Sequence, residues 1–221
     1  MFAYCNNNPV MYSDPTGKSL TNSWIFAGAT AGAVVAGNTA GAAVSVGFMG
    51  ASIGSSACSS NVGAAPNYKN IGESNGNRQT NPNCYSYAIG LYDKSYNPGD
   101  FSQPFTSYDV DAVAIAVKSD MYNLGRGCRA INSYDSPINN NEYRIALRVS
   151  KPNIISTPVG NYLDWDYHFM VQTSSGNWAE KHGPGGGSVY HSSGNPSTIS
   201  WDCGDIRGYY TSEIKYFAIT N

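Results

Sequence analysis

One cysteine of this sequence lies at the expected start of a helix, a position that favours a reactive thiol. Residues 81–88 read NPNCYSYA, with Asn81 as a good N-cap, Pro82 at the first helical position and Cys84 at the third. The first turn of a helix leaves backbone N–H groups unpaired, and these stabilise a thiolate. Cys84 is therefore a candidate nucleophile, although an inert cysteine in a helix fits the same pattern.

Thiol catalysis also needs a histidine within hydrogen-bond reach and a polar group that holds the imidazole. The candidate base is His168 in the strand sequence DYHFMVQ, although a structural strand histidine has the same surroundings. If residues 174–176 form a three-residue turn, Glu180 faces Met170 and lies diagonally from His168. Glu180 is therefore the predicted orienting residue.

The remaining site residues follow from this pair. His182 is the runner-up for the orienting role, and an oxyanion hole would combine the backbone N–H of Cys84 with Asn83 or Gln79. His191, in YHSSGNP, is predicted to lie on a surface loop. No group of His, Cys, Asp and Glu residues has the spacing of a metal site, so the sequence predicts no metal and no cofactor.

Two helices and then several strands are expected after residue 80. The first helix should begin after Asn81 and end before the sequence NPG at residues 97–99. The second should run from Ser107 as N-cap to Gly125, with apolar residues at helical spacing. Alternation with a period of two then predicts strands near residues 142–149, 166–172, 178–182 and 214–219. This order predicts an α+β domain with an antiparallel sheet.

The order of the motifs resembles that of the papain-like superfamily, and of the NlpC-type cysteine hydrolases in particular. The matching segments are NCYSYA (83–88), DYHFMVQ (166–172) and GNWAEKHG (176–183). The resemblance implies a helix that bears the nucleophile Cys84 and packs on an antiparallel sheet. In the same way it implies that His168 is the base and Glu180 the orienting residue.

The amino-terminal residues carry a second resemblance. The sequence FAYCNNNPVMYSDPTG, at residues 2–17, is similar to the end of the RHS/YD-repeat core, which closes with a DPxG signature. In that family the segment after the signature is a variable toxin or effector that the repeat shell encapsulates and releases by cleavage. The resemblance implies that residues 1–20 end an RHS core, and that the RHS shell of the parent chain and a cognate immunity protein are partners.

Residues 21–64 separate this signature from the predicted enzyme domain at residues 65–221. Residues 24–54 carry no charge, and small-xxx-small spacing recurs in them. The glycine pairs are Gly28/Gly32, Gly37/Gly41 and Gly50/Gly54. This glycine-zipper segment is predicted either to contact a membrane or to form a flexible linker inside the RHS shell.

Composition narrows the class of partner. Charged residues make up 13 % of the chain, about half the usual share, and the formal net charge is −2. A basic footprint for a nucleic-acid backbone is missing, so no nucleic-acid partner is predicted. Five cysteines are an odd number, so at least one is free or paired with another chain. The low charge favours a secreted or surface protein, although no signal-peptide pattern is expected at the start.

These observations predict a secreted polymorphic-toxin effector that is delivered into a target cell in interbacterial competition. Through Cys84 and His168 it would cleave or modify an amide bond in a protein or in peptidoglycan, as a protease, a peptidoglycan hydrolase or a deamidase. One alternative is a transglutaminase-like acyltransferase with the same pair of residues. The other is a non-enzymatic toxin that inserts residues 24–54 into a membrane.

Overall fold

The structure is a computed structural model of the chain, and it describes residues 61–158, 160–202 and 208–221. The predicted RHS end at residues 1–20 and the glycine-zipper segment at residues 24–54 lie outside these ranges. Within the described part, two helices are followed by strands of an antiparallel sheet, which is an α+β arrangement. None of the helices in these ranges is long and apolar enough to cross a membrane.

The first helix, α1 (Cys84–Ala88), is only 5 residues long. Its N-cap is Asn83, whose side chain accepts a hydrogen bond from the Ser86 N–H, so the prediction that Asn81 caps the helix is wrong. The helix stops early because Gly90 adopts a φ of 78°, a left-handed conformation that favours glycine. All of its residues are buried, so α1 is a core element.

The N-cap of the second helix, α2 (Val110–Asn123), is Asp109, whose side chain accepts a hydrogen bond from the Ala112 N–H. The prediction that Ser107 caps this helix is therefore wrong. The buried face of α2 includes Asp120, whose carboxylate accepts hydrogen bonds from α1 and from the following loop. The donors are Tyr85 Oη, Gly99 N, Phe101 N and Ser102 Oγ. Asp120 thus ties α1 and the loop after it to α2.

The strands are β1 (Cys128–Ile131), β2 (Glu142–Val149), β3 (Asn153–Thr157), β4 (Gly160–Asp164), β5 (Tyr167–Gln172), β6 (Trp178–Lys181), β7 (Ser188–His191) and β8 (Lys215–Thr220). Within the described ranges, six of them form an antiparallel sheet in the order β1-β8-β2-β5-β6-β7, and β3 and β4 form a separate hairpin. The four predicted strands are confirmed as β2, β5, β6 and β8. Strands β1, β3, β4 and β7 were missed.

The β5–β6 hairpin has the register expected for a three-residue turn. Met170 faces Glu180, and Gln172 faces Trp178. This part of the sequence-based interpretation is confirmed, and it determines which side chains of the two strands share a face of the sheet.

The sheet has two covered faces. The helix face packs against α1 and α2, and its core cluster includes Cys84 and the side chains of Tyr167 and Phe169 from β5. The loop face carries a second cluster that includes Met170 of β5 together with Trp201. Successive residues of a strand point to opposite faces, so β5 contributes its odd-numbered side chains to the helix face and its even-numbered ones to the loop face.

Residues 61–64 form a short arm against β2. The Ala64 N–H donates to the Glu142 carbonyl oxygen at 2.7 Å, and Arg144 Nη1 donates to the Asn61 carbonyl oxygen at 2.7 Å. Gly63 has a φ of 56°, and a Cβ atom there would lie 2.0 Å from the Glu142 carbonyl oxygen. The arm is therefore fitted closely to the sheet at a glycine.

Candidate active site

All three histidines of the chain contact one buried carboxylate, that of Glu180 on β6. His168 Nε2 lies 2.6 Å from Glu180 Oε2, and His191 Nε2 lies 2.9 Å from Oε1. His182 Nε2 lies 3.2 Å from the same Oε1 atom. We call these four residues the His–Glu cluster.

Strand pairing explains why the cluster forms. Glu180 faces Met170, so it lies diagonally from His168 on the neighbouring strand and on the same face. On its other side β6 pairs with β7, in which His191 faces Trp178. Trp178 and Glu180 are two residues apart and share a face, so His191 also points toward the carboxylate.

His182 directly follows β6 and opens the glycine-rich turn at residues 183–187. The turn is held by Lys181, whose ammonium group donates to the carbonyl oxygens of Gly183 and Gly186. Burial lowers the pKa of Lys181 to about 8. Lys181 and Glu180 point to opposite faces, so the lysine fixes the turn from the helix face while His182 joins the cluster.

The cluster has a buried end and an accessible end. The side chains of His168 and Glu180 are 0 % and 3 % exposed, whereas those of His182 and His191 are 26 % and 21 % exposed. A substrate would therefore meet His182 and His191 first. His168 would hold Glu180 from behind.

Aromatic side chains fix the ring of His168. Its centroid lies 5.3 Å from that of Tyr210 and 6.1 Å from that of Trp201. Tyr210 Oη in turn donates to the buried carboxyl group of Asp166 at 2.7 Å. Burial raises the pKa of Asp166 to about 8, so this group is mainly protonated at neutral pH.

Arg148 places a positive charge beside the cluster. It faces His168 directly across β2 and β5, and its guanidinium carbon lies 5.7 Å from the centre of the Trp201 ring. Its Nε atom is buried and has no hydrogen-bond partner among the described residues. This arginine is suited to attract an anionic or strongly polar group to the loop face.

Glu180 is an ionised carboxylate. Burial alone would raise its pKa, but the hydrogen bond to His168, together with the nearby ring nitrogens of His182 and His191, holds the pKa well below its ordinary value. An ionised carboxylate only accepts hydrogen bonds, so Nε2 of His168 and of His191 must donate. Each ring, when neutral, then carries its lone pair at Nδ1. The carboxylate therefore sets the tautomer of both imidazoles.

Cys84 lies apart from this cluster. It is the first residue of α1 and is fully buried, and its thiol donates to the Tyr167 carbonyl oxygen at 3.7 Å. Cys84 packs on the helix face, whereas the ring of His168 packs against Tyr210 on the loop face. The predicted contact between Cys84 and His168 is therefore wrong. The physical reason is strand alternation, which turns Tyr167 and not His168 toward α1.

The predicted oxyanion-hole side chains have other surroundings. The amide of Asn83 is occupied at both ends, because it caps α1 and donates to the Tyr96 carbonyl oxygen at 2.7 Å. Gln79 is exposed and lines a surface cavity of about 420 Å³ together with Lys94 and Asp100. Neither side chain is placed as an oxyanion donor for the thiol.

Sequence reasoning missed two features of the cluster. His191 was predicted to lie on a surface loop, but it ends β7 and bonds to Glu180. The sequence also showed no sign of a group of possible metal ligands, whereas possible ligand atoms of His168, Glu180 and His182 all lie within 4.8 Å of one another. The sequence separations between His168, Glu180 and His182 match no short metal-binding motif. Only the register of the β5–β6 hairpin could have indicated that these side chains lie together.

No protein-family model, curated protein or solved structure matches this chain. The chemistry of the cluster is therefore the basis for a functional interpretation. A carboxylate that orients an accessible imidazole and stabilises its protonated form is an established acid–base arrangement. Imidazole and carboxylate groups are also zinc ligands.

Proposed function

We propose that this chain is the effector end of an RHS-type polymorphic toxin, and that its folded part is a hydrolase of amide bonds in a protein or in peptidoglycan. The observation that carries the proposal is the convergence of all three histidines on the buried carboxylate of Glu180. Holding an ionised carboxylate in a dry site is costly unless it is fully paired, which favours a functional role for the cluster.

The arrangement of elements supports a papain-like origin for the domain. A helix that begins with Cys84 precedes an antiparallel sheet, and His168 and Glu180 lie on neighbouring strands of that sheet. The thiol mechanism of such enzymes needs the cysteine and the histidine side chains on the same face of the sheet, within hydrogen-bond reach of each other. Because Cys84 and His168 are on opposite faces, we propose that water, and not the thiol, is the nucleophile.

In the proposed reaction, the accessible residue His191 acts as the general base. It removes a proton from water, whose oxygen attacks the carbonyl carbon of the amide bond. The C–N bond then breaks, and protonated His191 returns the proton to the leaving nitrogen. Glu180 stabilises the imidazolium in between, and His168 is a positioning residue that holds Glu180 from the buried end.

The test is hydrolysis by the full chain of dye-labelled peptidoglycan and of labelled peptides. His191→Ala should reduce the rate by about 100-fold or more, since general acid–base catalysis typically contributes that much. Cys84→Ala is the matched control and should retain the rate to within about 3-fold. Far-UV circular dichroism checks that both variants are folded.

The opposite result would overturn the water mechanism. If Cys84→Ala abolishes hydrolysis and His191→Ala does not, the reaction uses the thiol, as in the papain-like enzymes. If both variants remain toxic on expression in a bacterial host and no hydrolysis is found, the non-enzymatic membrane toxin becomes the better explanation. In that case deletion of residues 24–54 should remove toxicity.

Delivery is the second part of the proposal. The DPTG sequence at residues 14–17 supports an origin at the end of an RHS shell, and toxicity in that context requires a cognate immunity protein in the producing cell. Expression of the chain with and without its neighbouring open reading frame would test this. Protection by that neighbour is the expected result, and equal toxicity in both strains would contradict it.

A further inference from the structure

We propose that the His–Glu cluster binds one Zn²⁺ ion through His168 Nε2, a carboxylate oxygen of Glu180 and His182 Nε2. These three residues offer two nitrogens and one oxygen within 4.8 Å of one another. Two histidines and one glutamate form a common ligand set of catalytic zinc, which keeps its fourth position for water. The site itself is independent of the proposed function, whereas its catalytic use rests on that function.

His182 provides the observation that distinguishes this site from a hydrogen-bonded network. Its Nε2 atom is buried and has no hydrogen-bond partner among the described residues, although it lies 3.2 Å from Glu180 Oε1. A buried nitrogen without a partner costs free energy, and such atoms in folded proteins usually have an explanation. A metal ion between His182 and the carboxylate would supply the missing partner.

The ligand spacing fits zinc after small side-chain movements. Tetrahedral zinc with bonds of about 2.0–2.1 Å places its ligand atoms about 3.3 Å apart. The separation of 3.2 Å between His182 Nε2 and Glu180 Oε1 already has this value. His168 Nε2 lies 2.6 Å from the other carboxylate oxygen, Oε2, and would exchange this hydrogen bond for the ion as its Nε2 proton leaves. His182 has the side chain with the most freedom to adjust.

The surroundings of the cluster supply the outer contacts that zinc ligands need. His191 Nε2 bonds to Glu180 Oε1 at 2.9 Å and would orient the carboxylate without displacing the ion. Tyr210 and Trp201 hold the ring plane of His168. Arg148 is the nearby positive charge, and it is paired with the Trp201 face.

Zinc would make the proposed water attack efficient at neutral pH. When bound, the ion would lower the pKa of a water in its fourth position to about 7. His191 would take a proton from that water and pass it to the leaving nitrogen, as the water oxygen bonds to the amide carbon and the C–N bond breaks. One water is consumed, one carboxylic acid and one amine are formed, and no oxidant or reductant takes part.

The experiment measures Zn²⁺ binding to the full chain after treatment with a chelator. Isothermal titration with ZnCl₂ and elemental analysis of the dialysed protein should give one ion per chain. His182→Ala should weaken binding by about 100-fold or more, since even loss of an outer contact costs 10- to 100-fold. If His182→Ala fails to fold, His182→Asn is the replacement variant.

Cys84→Ala is the matched control, because a cysteine thiolate is also a zinc ligand and could account for binding elsewhere in the protein. Undiminished binding in Cys84→Ala together with weakened binding in His182→Ala is the expected result. Equal binding by wild type and His182→Ala, or loss of binding in Cys84→Ala, would overturn the proposed site.

The two proposals fail in different ways. If the wild type binds one Zn²⁺ through His182 but hydrolyses no amide substrate, the site stands and the proposed function falls. If hydrolysis persists at full rate in the presence of excess chelator, with no zinc in the protein, the function stands and the zinc site is refuted.

Discussion

At the scale of single residues, Glu142 is a buried carboxylate whose charge is compensated by Arg129. Arg129 Nε donates to Oε1 at 2.9 Å and Nη2 to Oε2 at 2.8 Å, and the Asn139 N–H donates to Oε2 at 2.8 Å. The bonds from Arg129 lower the pKa of Glu142 from 4.5 to about 2. The stabilisation is fully present above the unfolded-state pKa and is lost as the pH falls toward 2.

We therefore expect the free energy of unfolding to fall between about pH 5 and pH 2 more steeply in wild type than in Glu142→Gln. Urea titrations at several pH values in this window measure the difference. Glu213→Gln is the control, because the Glu213 side chain is 65 % exposed and should leave the slope close to that of wild type. Identical slopes for wild type and Glu142→Gln would show that Arg129 contributes little.

At the scale of elements, α1 owes its start to one side chain. The Asn83 amide accepts from Ser86 N at 2.9 Å and donates to Tyr96 O at 2.7 Å, and the residue is fully buried. Asn83→Ala should lower the free energy of unfolding by about 2 kcal/mol, which combines a lost N-cap with a buried carbonyl left unpaired. Asn81→Ala is the control and should cost less than about 0.5 kcal/mol, since the exposed Asn81 side chain bonds only to residues 75–80 and the substitution leaves its backbone bonds in place.

Urea unfolding of both variants decides the matter. If Asn81→Ala is the more destabilising change, the helix begins two residues earlier than the structure places it. The pair also explains the misplaced cap: both positions carry Asn, and Pro82 at the first helical position favoured Asn81. Tertiary contacts select Asn83, because only its side chain reaches the core.

Other elements show which parts of the fold the sequence could predict. The alternating segments became β2, β5, β6 and β8, and the hairpin register correctly placed Glu180 opposite Met170. Strand β7 reads SVYH after a run of glycines, which is too short for a periodic signal. Without a recognisable strand at residues 188–191, the sequence predicts a loop at His191.

The faces of the sheet could not be predicted in the same way. A cysteine at the start of a helix and a histidine in a strand specify chain order, but not which side of the strand meets the helix. Here Tyr167 and Phe169 supply the large apolar surface that α1 and α2 need. Packing of these rings turns His168 away from Cys84, and this preference is set by the whole core.

At the scale of the whole molecule, the described part contains both hydrophobic clusters of the sheet. A fragment of residues 61–221 should therefore fold by itself. A fragment that starts at the predicted boundary, residue 65, lacks the arm that bonds to Arg144 and to the backbone of Glu142. We expect it to be less stable by about 1–3 kcal/mol, because a buried arginine loses an acceptor.

Urea unfolding of the two fragments, monitored by tryptophan fluorescence, gives this difference directly. A longer fragment that carries Gly63→Ala should behave like the shorter one, since a side chain at that position collides with the Glu142 carbonyl. Equal stability of all three proteins would mean that the arm contributes nothing and that residue 65 is the better boundary.

The gathering of every histidine around Glu180 also makes the site visible to spectroscopy. In a nuclear magnetic resonance spectrum of ¹⁵N-labelled protein, each imidazole signal comes from this one place, with no other histidine to overlap it. Ligand binding, tautomer exchange or proton transfer at the carboxylate would each move those few signals. The chain thus carries its own reporter groups, and beyond isotope enrichment no attached probe or substitution is needed to observe the site.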